Sequence, residues 1–167
     1  MGILTIICII FSVAAIVAAA VMAYRAMRFA PAVAWLALAI LMVAIEDAPG
    51  WPTVAFWGVA AIIAVAITTL LPAIVATSRN GVAFMTTGAF AGAFVGMLLP
   101  YANAGMILGA LIGTAFGLIV HSRTPAGAIL GFPSKKFFKY ACAKGLPTVV
   151  TACACALAAL SIVQLIH

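Results

Sequence analysis

Charged side chains are nearly absent from this sequence. Of its 167 residues, eight are lysine or arginine, two are aspartate or glutamate, and 68% are hydrophobic. Soluble proteins carry about 25% charged and about 45–50% apolar residues. A soluble domain of this length has too little interior for so much apolar surface. The shortage of charge therefore excludes a soluble domain and predicts that lipid surrounds most of the chain.

The apolar segments also lack the alternation of polar and apolar residues that a transmembrane barrel needs. They are continuous and rich in alanine and leucine, which favours helices that satisfy their own backbone groups. We predict an all-α integral membrane protein, a single domain forming a six-helix transmembrane bundle. The predicted spans are residues 3–23, 30–45, 53–76, 81–99, 104–120 and 146–166, with Pro72 bending the third.

The few charges that remain are segregated along the chain. With six spans, every lysine and arginine falls on one side of the membrane, while Glu46 and Asp47 fall on the other. Because basic residues mark the cytoplasmic side, we expect both termini on the non-cytoplasmic side. Topology also accounts for the net charge of +6, so we expect no nucleic-acid partner.

Catalytic and metal-binding patterns are missing as well. The two histidines, His121 and His167, stand at the end of a span and at the last position. Cys153 and Cys155 are two residues apart, so on a helix they point to nearly opposite sides and cannot hold one metal together. We expect no enzymatic activity, no metal and no cofactor.

A basic link joins the fifth and sixth spans. The link covers residues 122–144, and its segment "SKKFFKYACAK" is expected either to start the sixth span or to lie along the membrane interface. The lysines of this link are candidates for contact with anionic lipid headgroups, although topology alone would also account for them. They are Lys135, Lys136, Lys139 and Lys144.

Glycine, by contrast, is abundant and regularly spaced in the fourth and fifth spans. Small residues four apart form a flat stripe along a helix, which lets two backbones approach closely in lipid. We predict an antiparallel helix pair packed glycine face against glycine face, or against a third helix. The predicted packing residues are Gly88, Gly92, Gly96, Gly105, Gly109, Gly113 and Gly117.

From about Thr53 onward, the layout of the chain resembles a family of small bacterial membrane proteins catalogued as domain of unknown function four-five-six, in three elements. They are "ITTLLPAIVATSRNG", the glycine-striped pair "TTGAFAGAFVGMLLPYANAGMILGALIGTAFG", and the closing "KKFFKYACAKGLPTVVTACACALAALSIV". The resemblance implies a bacterial cytoplasmic (inner) membrane protein, but no activity. Family members often carry an acid after the second stripe and another before the proline, where this chain has Leu118 and the pair Thr68 and Thr69. Any role that those acids have in the family is therefore not assigned to this chain.

Two functions agree with this architecture. The first is a channel or transporter-like protein for a small or neutral solute, indicated by short loops and glycine-rich spans. The alternative is a non-transporting structural or assembly subunit, indicated by the absence of buried charge. In both cases the expected partners are the lipid bilayer, including anionic lipids, and either further copies of the chain or another membrane protein.

Overall fold

The computed structural model describes residues 3–44, 50–70, 79–99 and 101–166, and this part of the chain is helical without any strand. The prediction of an all-helical protein is therefore confirmed. Pro72, Glu46, Asp47 and His167, with the predicted span ends at residues 45 and 71–76, lie outside the described residues. The helices are α1 (Ile3–Tyr24), α2 (Ala30–Ala44), α3 (Trp51–Leu70), α4 (Arg79–Met97), α5 (Ala102–Ser122), α6 (Lys135–Tyr140) and α7 (Leu146–Ile166).

Four helical stretches of the described residues are long and apolar enough to cross a membrane, as expected for a helical membrane protein. They are Ile3–Tyr24, Trp51–Leu70, Asn103–Ser122 and the continuous stretch Lys135–Leu165. The apolar stretches Ala30–Val43 and Gly81–Met97 are shorter.

The last long helix is built from three pieces. Ser134 caps α6, because its hydroxyl accepts a hydrogen bond from the Phe137 amide at 3.1 Å. A π-helical turn, Ala141–Gly145, then connects α6 to α7. Pro147 follows directly and has no amide hydrogen to donate, so a widened turn at this point accommodates it. The basic segment was predicted either to start the sixth span or to lie along the interface. In the structure it starts the last long helix, Lys135–Leu165.

Helix α7 forms the centre of the bundle. It packs against each of α1, α2, α3, α4 and α5. Small side chains on all its faces let these five neighbours approach closely. Its fully buried residues are Thr151, Ala152, Cys153, Ala154, Cys155, Ala156 and Ala158.

Polar contacts fix the outer helices to one another. The Ser12 hydroxyl of α1 donates to the carbonyl of Ala37 in α2 at 3.1 Å, in a buried position. The indole of Trp35 in α2 donates to the carbonyl of Val54 in α3 at 2.9 Å. Long apolar side chains on the far sides of α1 and α3 are exposed, as expected for surfaces that face lipid.

Candidate functional site

The glycines of α4 and α5 lie against each other in antiparallel order. A Cβ atom at Gly88, Gly92 or Gly96 would overlap a carbonyl oxygen of the opposite helix. Those oxygens belong to Gly113, Gly109 and Gly105, respectively. Gly117 continues the row, but its neighbour is the carbonyl of Phe84 rather than another glycine. The two backbones are thus in contact along four consecutive turns, with no room for side chains between them.

The two cysteines of α7 face different neighbours. The Cys153 thiol lies 3.8 Å from the Met106 carbonyl of α5, and the Cys155 thiol lies 4.0 Å from the Ile16 carbonyl of α1. Both side chains are fully buried. In the described residues no cluster of three histidine, cysteine or acidic side chains offers a metal site.

The buried hydroxyl groups mostly bond to their own helices. Thr114, Thr151 and Ser161 each donate to the carbonyl four residues earlier, at 2.7 to 3.0 Å. Such bonds satisfy the hydroxyl within the helix and leave no donor pointing into a path for solute. Two buried hydroxyls of the described residues differ: that of Ser12 bonds to the Ala37 carbonyl of α2, and that of Thr86 has no partner there.

His121 and Tyr140 lie together at the basic end of the bundle. Both are buried, at 0% and 1% exposure. A Cβ atom at Gly81 would lie 2.6 Å from the Tyr140 hydroxyl and 2.9 Å from the His121 Nε2 atom, so this glycine makes room for both rings. The Phe84 ring lies on the imidazole, with centroids 5.6 Å apart. The sequence places His121 correctly at a span end, but gives no signal that its ring is buried beside Tyr140.

The four lysines of the basic link do not form one patch. Lys135, Lys136 and Lys139 are exposed on α6, whereas Lys144 is only partly exposed and belongs to the π-helical turn. Lys144 lines a small cleft with a free volume of about 20 Å³, enough for roughly one water-sized group. The cleft is further lined by Ala23, Ala26, Met27, Ala30, Thr68, Val82, Pro147, Thr148 and Thr151.

An apolar groove lies between α2 and α3. Its free volume is about 470 Å³, and its wall is almost entirely apolar. Gly58 allows the Trp35 indole to lie flat against α3, since a Cβ there would be 2.9 Å from the indole nitrogen. The lining residues are Phe29, Ala32, Trp35, Gly58, Ala61, Ile62, Val65 and Ala66.

Comparison with known proteins identifies no relative of this chain. No protein-family model matches it, and neither the curated proteins nor the solved structures contain a match. The resemblance to domain of unknown function four-five-six stays a prediction. Function is accordingly inferred from the packing and the cavities alone.

Proposed function

We propose that this chain is a non-transporting structural or assembly subunit of the bacterial inner membrane, the second of the two functions considered from the sequence. It crosses the membrane six times, with both termini on the non-cytoplasmic side. Its outer apolar faces pack against lipid and against further copies of the chain or another membrane protein. Membership in domain of unknown function four-five-six is part of this proposal.

The central position of α7 is the observation that supports it. A channel or carrier needs a polar path between its helices, or irregular backbone that lines a cavity. Here the axis of the bundle is occupied by a helix whose residues from Ala152 to Ala156 are fully buried. The apolar core around it includes Ala37, Leu41, Ala61 and Ala110 of the neighbouring helices.

The cavities support the same conclusion. Thr68, Thr148 and Thr151 give the Lys144 cleft its polar wall, yet the cleft holds only about one water-sized group. The larger α2–α3 groove is apolar and lies on the side of the bundle. Neither of these two cavities offers a solute the polar surroundings that a midplane site requires. A third cavity, of about 450 Å³, is lined by Tyr24, Arg25, Ala26 and Met27 at the turn between α1 and α2, and not between helices at the midplane.

Reconstitution into liposomes tests this proposal. Osmotic swelling with small neutral solutes such as glycerol should proceed at the rate of protein-free liposomes. An imposed proton or sodium gradient should likewise drive no uptake of ions, because a charge at the apolar midplane costs at least several kcal/mol without compensating groups. A known channel reconstituted at the same density serves as the positive control. Solute entry above the protein-free rate, or gradient-dependent uptake, would show that the chain is a transporter.

A further inference from the structure

We propose that the basic end of the bundle binds one molecule of an anionic phospholipid. Its phosphate lies at the Lys144 cleft, and one acyl chain lies in the α2–α3 groove. This specific lipid site goes beyond the proposed function, since an assembly subunit does not need one.

Lys144 differs from the other lysines of the link in its surroundings. It is the partly buried one, and two buried hydroxyl-bearing residues, Thr148 and Thr151, line the cleft with it. The part of the chain that the structure describes contains no aspartate or glutamate, so it supplies no carboxylate to neutralise the ammonium group. An anion at the cleft would compensate the charge of this half-buried lysine, and the cleft admits one phosphate oxygen.

A second basic residue stands beside the cleft. Ala26 and Met27, in the turn between α1 and α2, line the Lys144 cleft and also an adjoining cavity of about 450 Å³. Arg25 and Tyr24 line that adjoining cavity. The cavity is large enough for a lipid headgroup, and Arg25 gives it the charge that favours an anionic one.

The apolar groove begins where the cleft ends. On α3, Thr68 lines the cleft and Val65, one turn earlier on the same face, lines the groove. At the start of α2, Ala30 lines the cleft, and Phe29, the residue before it, lines the groove. A cationic cleft followed by an apolar groove matches the charge and polarity of a phospholipid along its length. A neutral solute would leave the positive charge of Lys144 without a counter-charge, and so would an apolar helix of a partner protein.

Native mass spectrometry of the purified full chain tests the site. The probes are phosphatidylglycerol and phosphatidylcholine with identical acyl chains, added to the detergent-solubilised protein. We expect one phosphatidylglycerol to stay bound under conditions that remove phosphatidylcholine. Lys144→Met should weaken that binding about tenfold, since it removes the positive charge that lines the cleft. The matched control Lys139→Met removes an exposed charge of α6 and should change binding by no more than about twofold.

A second pair of variants tests the acyl chain. Ala66→Phe fills the groove and should weaken phosphatidylglycerol binding, whereas Ile63→Phe, at an exposed position of α3 outside the groove, should not. Thermal unfolding of every variant, compared with the unsubstituted chain, separates lost binding from lost folding. Equal retention of both lipids, or equal effects of Lys144→Met and Lys139→Met, would overturn the proposal.

Inorganic phosphate separates a lipid site from a site for free phosphate. Millimolar phosphate should leave the bound phosphatidylglycerol in place, because it lacks an acyl chain for the groove. Displacement of the lipid by phosphate, with Ala66→Phe binding normally, would mean that the cleft takes the free ion, and it would overturn the lipid assignment.

Discussion

At Gly92 a single added methyl group would overlap the carbonyl oxygen of Gly109 on the facing helix. The clash is with a backbone atom and not with the end of a flexible side chain, so a change of rotamer cannot relieve it. The same relation holds for Gly88 with Gly113 and for Gly96 with Gly105. Relief of the overlap therefore requires α4 and α5 to separate, which loosens the contact along the whole pair.

Gly92→Ala should consequently destabilise the protein. Forcing a methyl group into a close-packed site costs about 1–3 kcal/mol, and the higher end applies where backbone must move. We expect the melting temperature in detergent to fall by about 5–10 °C. Gly50→Ala is the matched control, because among the described residues its new Cβ would meet only the Pro52 Cδ atom, at 3.6 Å. Equal melting temperatures for the two variants would show that the glycine contact contributes nothing to stability.

Spacing of four residues along an apolar helix predicts a stripe of packing glycines, because close approach in lipid depends on small side chains. In the structure an added Cβ at each of these glycines would meet a carbonyl oxygen of the facing helix. The special position of Lys144 could not be predicted in this way. In the sequence it is one of four lysines in a basic link. Its partial burial follows from the π-helical turn before Pro147, which places it against residues as distant in sequence as Ala23 and Thr68.

At the scale of the helices, the central role of α7 is the feature that the sequence does not reveal. In a soluble protein a central helix is apolar all round and a surface helix is apolar on one face, but in lipid every helix is apolar on all sides and that contrast disappears. Helix α1 is long and apolar, yet it buries only Ser12, Ala19 and Ala23. What distinguishes α7 is the small size of its side chains, from Ala152 to Ala156, which suits a helix with neighbours on every face.

Thiol reactivity should report this burial. With a membrane-permeable maleimide in detergent, Cys142 should react first because its side chain is exposed, while Cys153 and Cys155 should react only after denaturation. Peptide mass spectrometry assigns the modified positions. A denatured sample, in which all cysteines react, is the control for reagent access. Rapid modification of Cys153 in the folded protein would contradict the central position of α7 and weaken the case against a transport path.

At the scale of the whole molecule, the predicted topology places the two ends of α5 on opposite sides of the membrane. Asn103 stands at its beginning, and Ala126 follows its end in the basic link; both side chains are exposed. Because the link carries Arg123 and the lysines of α6, the positive-inside rule assigns Ala126 to the cytoplasm and Asn103 to the other side.

Cysteines introduced at these two positions, in a Cys142→Ser background, test the assignment in intact spheroplasts. A membrane-impermeant maleimide should label Asn103→Cys and leave Ala126→Cys unmodified until the membrane is opened with detergent. The two variants control for each other, since they flank the same helix and differ only in the side on which the new thiol lies. Labelling of Ala126→Cys alone would show that the topology is the inverse of the predicted one. The basic end, with Lys144 and Arg25, would then lie in the outer leaflet, and the lipid that reaches the cleft would have to come from there.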